Sequence, residues 1–363
     1  MRHCHLIVRY LEPGTSSLLA GLASQANNGR LRLTQQVLPL PRATDHEPWH
    51  LRHKADAGVE LVLDGRTSAY VDVHDSWEID ADAYAAHDFY FKRSYHPGRL
   101  PPGDYPKLRP LGLVNDIRLD GFDLWEARRI LAQKIPLARR ATMLLRFLLH
   151  SAATLANLGP RPNLSLLHAP PDPAKPPCVL FMARLWDPSM VPPEVPEKAA
   201  EFAAINETRA ACVRLLRSEL GARFFGGVQH TEFARRHFAD VLLPDARAAS
   251  KRAYIRRVRD YPICIATMGL HGSNGWKLAE YVGLSRSIVS EPPEYAVPGT
   301  FAAPSHYLGF RSPESCVEQV SRLMDDVALR AAQMQANHDY YHRWMWPEAM
   351  AEHVLGTMAG SAP

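Results

Sequence analysis

Apolar and polar positions follow two different rhythms along this chain. From residue 178 onward, short apolar runs alternate with longer amphipathic ones. "CVLFMARLW" predicts a strand, 196–220 a helix, "RFFGGVQ" a strand, and a stretch around 249–258 a helix. "PICIATM", a helix over 275–284, "SRSIVSEP", "HYLGF" and a helix over 313–326 continue the series. Nearly continuous apolar strands separated by helices imply a parallel sheet covered on both faces. The final segment, "ALRAAQMQANHDYYHRWMWPEAMAEHVLGTM", predicts helix with a break at Pro347.

The first half is less regular. "HCHLIVRY" (3–10) predicts a buried opening strand, and a polar region follows it. "VELVLDG" and "TSAYVDVHDSWEI" alternate, which predicts two paired strands joined at Asp64 and Gly65. "HDFYFKRSY" (87–95) predicts another strand. Asp123 and Glu126 have the spacing of a capping box that opens "LWEARRILAQK"; Pro136 interrupts it, and a second helix is expected over 137–157. The proline-rich stretch 158–177 can continue neither a helix nor a central strand. The expected organisation is therefore a domain over 1–160, a linker over 161–177, a second domain over 178–335, and terminal helices over 336–363.

Composition narrows the class. The chain has 363 residues, too many for one ordinary core, and 46% hydrophobic with 22% charged residues is a globular balance. A net charge of +4 is compatible with anionic small molecules or an anionic membrane surface, and too weak to imply nucleic acid. Cys4, Cys178, Cys212, Cys264 and Cys316 are widely spaced and odd in number, so reduced thiols in a cytosolic setting are expected. The opening "MRHCHLIVRYLEPG" has no apolar run of signal-peptide length, and "ATMLLRFLLHSAATLANLG" is broken by Arg146 and His150.

Candidate chemistry concentrates in "MGLHGSNGWKLAE", between a strand and the next helix. Ligands of open α/β sheets bind outside the carboxyl ends of the strands. Gly272 and Gly275 permit close backbone approach, helix amides suit a diphosphate, and Lys277 adds a positive charge. Glu280, one turn on, is placed to accept from sugar or ribose hydroxyls. An ordinary turn with a solvated lysine and glutamate fits the same spacing. Arg184 ends the first strand of the second domain, and Lys251 with Arg252 opens a helix; each could meet phosphate or simply face solvent. In the first half, His74 and Asp75 have the chemistry of a general base. Asp88, Lys92 and Arg93 form a second charged group along "HDFYFKRSY". His338 and His342 in "HDYYH" share a helix face, but their aromatic setting predicts packing rather than metal. The histidines of "HEPWHLRH" (46–53) and the "DAD" triplet at 80–82 are likewise discounted as metal sites. Arg128, Arg129, Lys134, Arg139, Arg140 and Arg146 stand among leucines before the linker, a pattern that fits either a solvated face or contact with anionic lipid.

"SKRAYIRRVRDYPICIATMGLHGSNGWKLAEYVGLSRSIVSEP" (250–292) and "YLGFRSPESCVEQVSRLMDD" (307–326) resemble the nucleotide-sugar domain of glycosyltransferases built from two Rossmann-like domains, the GT-B architecture. The resemblance is to bacterial surface-polysaccharide enzymes of the group 1, exostosin-like and CgeB-like kind, and it spans about residues 178–345. It implies an α/β fold with two Rossmann-like domains facing a cleft, terminal helices returning to the first domain, and a donor domain in the second half. It implies that Glu280 holds the donor ribose and that Ser273, Asn274 and Gly275 lie near the diphosphate. Members that retain anomeric configuration often carry an acidic residue eight positions before that glutamate. Here the position is Gly272, with His271 beside it as a candidate contact to the transferred sugar, so stereochemistry stays open. The activity implied is transfer from a nucleotide-sugar to a hydroxyl of a glycan or lipid-linked acceptor, with no metal or other cofactor. The expected location is the cytoplasm, with peripheral contact to the inner membrane. A nucleotide-sugar epimerase or hydrolase, and a non-catalytic nucleotide-sugar-binding protein, are the alternatives.

Overall fold

The computed structural model describes residues 1–8, 13–38, 58–100, 102–117, 131, 136–155 and 162–360. The stretch 46–53 and most of the helix expected after Asp123 lie outside the described residues. The chain forms two α/β units. One comprises Met1–Leu166, Tyr295–Thr300 and His342–Pro363; the other comprises Leu167–Glu294 and Phe301–Tyr341.

In the first unit, β1 (Arg2–Val8), β2 (Leu31–Val37), β3 (Gly58–Leu63), β4 (Thr67–Asp72), β5 (Phe89–Lys92) and β6 (Leu108–Pro110) form one sheet in the order β2-β1-β3-β4-β5-β6. Only β3 runs against its neighbours. β3 passes into β4 through the expected turn, where Asp64 (φ 52°) and Gly65 (φ 68°) both take left-handed backbone. Aspartate suits that position because its Oδ1 also accepts the His3 amide at 2.7 Å.

The expected polar region after β1 contains a buried helix, α1 (Ser16–Asn27), followed by β2. This helix is hard to see in sequence because it is built from small residues with little contrast between faces. Their size has a purpose: a Cβ on Gly21 would lie 1.8 Å from the Pro347 carbonyl oxygen of the terminal helix (Pro347–Met358). Ser24 also bonds Glu348 at 2.5 Å, and Arg2 pairs with Glu352 at 2.7 Å. α2 (Ala81–Ala86) was also not anticipated. Asp80 of the "DAD" triplet is its cap, accepting the Ala83 amide at 2.9 Å. α3 (Leu137–Leu155) matches the expectation for 137–157 as far as residue 155; 156 and 157 lie outside the described residues.

The second unit alternates strand and helix as the apolar rhythm predicts. β7 (Val179–Ala183), α4 (Pro196–Leu220), β8 (Phe224–Val228), α5 (Glu232–His237), α6 (Lys251–Asp260), β9 (Ile263–Ala266), α7 (Trp276–Gly283), β10 (Ser287–Ser290), β11 (Leu308–Gly309), α8 (Pro313–Asp325) and α9 (Val327–Tyr340) follow in turn. The terminal helix of the first unit is α10. The five strands are all parallel, in the order β11-β10-β9-β7-β8. Val179, Phe181, Ile263, Ile265 and Val289 pack in one core with Val213 and Leu216 of α4 and Val320 and Leu323 of α8. The five cysteines are free thiols, all but Cys178 buried.

Candidate functional site

Parallel strands deliver their following loops to one edge of the sheet. In the second unit that edge gathers Arg184 after β7, residues 267–275 after β9, and Glu291 after β10. The loop after β9 is internally fixed. The Gly269 amide donates to the Ser273 carbonyl at 2.8 Å, and the Ser273 amide to the Leu270 carbonyl at 3.1 Å. His271 (φ 61°) and Gly272 (φ 70°) both adopt left-handed backbone, which turns the chain back on itself. The His271 amide bonds Glu201 of α4 at 2.5 Å.

Arg209, buried on α4, ties this edge together. Its guanidinium donates to Thr267 Oγ1 at 3.0 Å, the Met268 carbonyl at 2.8 Å and the Arg184 carbonyl at 2.6 Å. Burial pulls its pKa down to about 10, partly opposed by the charge of Glu291. Burial raises Glu291 above the usual carboxylate range, while the Met268 amide, donating at 2.7 Å, and Arg209 pull the other way. Nothing in the local pattern of "NETRAACVRLL" singles out Arg209, because its partners lie 25 to 59 positions away.

α7 starts at this edge. Its cap is Gly275, with no side-chain cap, and a Cβ there would come within 3.2 Å of the Thr267 carbonyl oxygen. Ser273 and Asn274 are buried rather than splayed into solvent. Lys277 keeps part of its stem exposed while its amine turns inward to the Met182 carbonyl at the end of β7. Desolvation, with repulsion from Arg209 and Lys251, lowers its pKa to about 7 against the pull of Glu280. Burial thus holds the Lys277 amine against the Met182 carbonyl and lowers its pKa below that of an ordinary lysine.

Glu280 is 2% exposed, a costly place for a carboxylate. Its Oε1 pairs with Lys251 Nζ from the first turn of α6. Its Oε2 is buried with no hydrogen-bond partner among the described residues. Lys251, expected on a phosphate, is engaged with Glu280 here. The ammonium groups of Lys251 and Lys277 lie 5.9 and 5.7 Å from the ring centre of the buried Tyr254. Arg184 is exposed and stacks on Trp186 at 4.9 Å, with no carboxylate partner among the described residues. The structure therefore brings Ser273, Asn274, Gly275, Lys277, Glu280 and Lys251 into one neighbourhood. Sequence reading found those residues and missed Arg209, Glu291 and Tyr254.

In the first unit, His74 and Asp75 follow β4, beside a buried ionic network. Lys92 Nζ and Tyr90 Oη each donate to Asp72 Oδ2 at 2.6 Å, and the His74 amide donates to Asp72 Oδ1 at 2.8 Å. Burial pushes the Asp72 carboxyl up, but the charges of Lys92 and His74 and the bonds from Lys92 and Tyr90 hold it below its ordinary value. Asp75 pairs with Arg93. The grouping of Asp88 with Lys92 and Arg93 is not found. Asp88 precedes β5 and accepts from the Ser68 amide and hydroxyl, both at 2.8 Å, while Lys92 closes the strand. In the second unit, His338 Nδ1 faces Ser285 Oγ at 3.1 Å, and its ring lies 5.9 Å from that of His168.

No protein-family model matches the chain, and no curated protein matches it. Among solved structures, the chain is similar to WaaG, a glycosyltransferase involved in lipopolysaccharide biosynthesis, at 11% identity and a TM-score of 0.42, covering 96% of this chain and 98% of that one. It is similar to a putative UDP-N-acetylglucosamine 2-epimerase from Listeria monocytogenes at 9% identity and a TM-score of 0.43, covering 98% and 96%. Similarity to the C-terminal domain of a group 1 glycosyl transferase, LpcC, from Francisella tularensis covers 49% of this chain and 95% of that domain, at 9% identity and a TM-score of 0.34.

Proposed function

We propose that this protein transfers a sugar from a nucleotide-sugar donor to an acceptor hydroxyl, with the donor held by the second unit. The observation that carries the reading is Glu280. A carboxylate buried to 2% exposure, with one oxygen lacking a partner among the described residues, stands one turn inside an uncapped helix at the edge of a parallel sheet where ligands of such sheets bind. A buried acceptor without a donor is costly, and a sugar or ribose hydroxyl supplies that donor. The amides of α7 then face the diphosphate, with Lys277 in the same turn, and Arg184 offers a guanidinium with no carboxylate partner among the described residues.

The reaction makes a bond from the acceptor oxygen to the anomeric carbon and breaks the bond from that carbon to the diphosphate. Negative charge grows on the leaving diphosphate, and helix amides with cations stabilise it by fixed dipoles. In the first unit, His74 and Asp75 are the candidate bases, and Asp75 is held by Arg93. The acceptor class that fits the resemblance is a glycan or a lipid-linked glycan of a bacterial surface polymer.

Thermal unfolding with UDP-, GDP-, ADP-, dTDP- and CMP-linked sugars tests the donor assignment. One nucleotide class at a hundredfold excess over its Kd should raise Tm by roughly 5–10 °C. Glu280→Ala should abolish that rise while the variant still unfolds cooperatively. A full rise in Glu280→Ala overturns the role of this residue, and turnover of the donor at full rate without acceptor overturns transfer in favour of hydrolysis.

A further inference from the structure

We infer that His168, His338 and His342 bind one zinc ion at a place separate from the donor site. A ring nitrogen from each lies within 4.8 Å of those from the other two. His338 and His342 are four residues apart on one continuous helical run, α9 and the π-helical turn Tyr341–Met345 that prolongs it, and so share a side of it. His168 comes from the chain leading into β7. Its ring stacks on that of the buried Tyr341 at 17° and 5.9 Å, and lies 5.9 Å from the ring of His338. The aromatic setting of "HDYYH" therefore positions a third histidine that the local sequence does not show.

Hydrogen bonding selects the ligating form of His338. The buried Ser285 hydroxyl gives its one proton to the Ala169 carbonyl at 2.6 Å. Toward His338 Nδ1, 3.1 Å away, the same oxygen can only accept. Nδ1 thus carries the hydrogen and Nε2 the lone pair, which is the tautomer a metal takes, with Ser285 orienting the ring from behind. Three imidazoles without a carboxylate suit Zn²⁺; Mg²⁺ and Ca²⁺ take oxygen. Nitrogens bonded at about 2.0–2.1 Å in a tetrahedron sit about 3.4 Å apart, so the rings close by roughly an ångström around the ion. His342 is the exposed member, with room to make that movement and to leave the fourth position to water. The helix that carries His338 also sets the place of His342, so the cluster depends on the second unit and that helix alone. Ser285 follows the C-terminal end of α7, whereas the donor faces the Gly275 end. The ion accordingly ties the chain entering the second unit to the end of α9 and takes no part in transfer.

Titration of the untagged, chelator-stripped full chain with Zn²⁺ tests this by calorimetry and thermal unfolding. One ion should bind per chain, and a hundredfold excess over its Kd should raise Tm by roughly 5–10 °C, with no rise from Mg²⁺. His342→Ala should unfold as cooperatively as the wild type, because the side chain is exposed, yet bind zinc more than about tenfold more weakly. Ser285→Ala should weaken binding about tenfold through loss of ring orientation. Absence of zinc binding overturns the inference. So does binding that His342→Ala and His168→Ala leave unchanged, or binding removed instead by replacing His46, His50 and His53, since the ion then sits elsewhere.

Discussion

Lys92, fully buried, donates to Asp72 at 2.6 Å, and both sit where two neighbouring parallel strands end. Each charge is tolerable only because the other is present. Lys92→Met leaves Asp72 buried without its cation, and the expected loss is about 3–5 kcal/mol. Adding Asp72→Asn should recover much of it, since the uncompensated charge goes. Denaturant midpoints of the wild type and the two variants check this; equal losses for the single and double variants would refute it. The sign with pH follows from the lowered Asp72 value. The stability it contributes is present above the unfolded aspartate pKa and is lost as pH falls through the lower folded value.

The exposed pair of Arg214 and Asp240 gives the contrast. Its side chains are 45% and 54% exposed and meet at 2.6 Å. Solvent screening and side-chain entropy consume most of such an attraction. Asp240→Asn should therefore leave the denaturation midpoint nearly unmoved at moderate salt, despite geometry as short as that of the buried pair.

Gly21 and Gly29 separate steric from backbone effects. Gly21→Ala sets a methyl 1.8 Å from the Pro347 carbonyl oxygen, so α1 and α10 must move apart, at about 1–3 kcal/mol or more. Gly29 (φ 68°) has nothing within 4 Å of such a methyl, so Gly29→Ala should cost only about 1–2 kcal/mol through its left-handed backbone. Paired thermal unfolding ranks the two, and a larger drop for Gly29→Ala would contradict the close contact.

Lys277 gives a pH signature. Its folded pKa of about 7 lies below its ordinary 10.5, so the folded state binds fewer protons than the unfolded state between those values, and stability rises with pH across that window. A bound diphosphate favours the protonated amine. Nucleotide affinity should therefore fall as pH rises above 7, by at most about tenfold per unit. Isothermal titration should show this slope in the wild type and a flatter one in Lys277→Met.

The strand and helix order of the second unit is legible because its strands are short runs with apolar centres, such as Val179–Ala183 and Ile263–Ala266, set between longer amphipathic stretches. The first unit is harder, since α1 is buried from Ser17 through Ala23 on nearly every side, with Gly21 against α10, so it shows no polar face to contrast with an apolar one. At the site, Lys277 and Glu280 stood out because they fall in one helical turn after a glycine-rich loop. The pairing of Glu280 with Lys251 did not, being 29 positions apart in sequence, nor did the three-way grip of Arg209. Side chains that organise a loop from a distant helix leave no local spacing to recognise.

The meeting of Gly21 with Pro347 sets an order for biosynthesis. The surface of α1 that receives α10 stays bare until Pro347–Met358 has been made, roughly 15–65 s after α1 at ordinary elongation rates. The second unit is encoded entirely between those two helices and can finish folding first. A premature stop shortly before Pro347 therefore yields one completed unit attached to one that still lacks its closing helix.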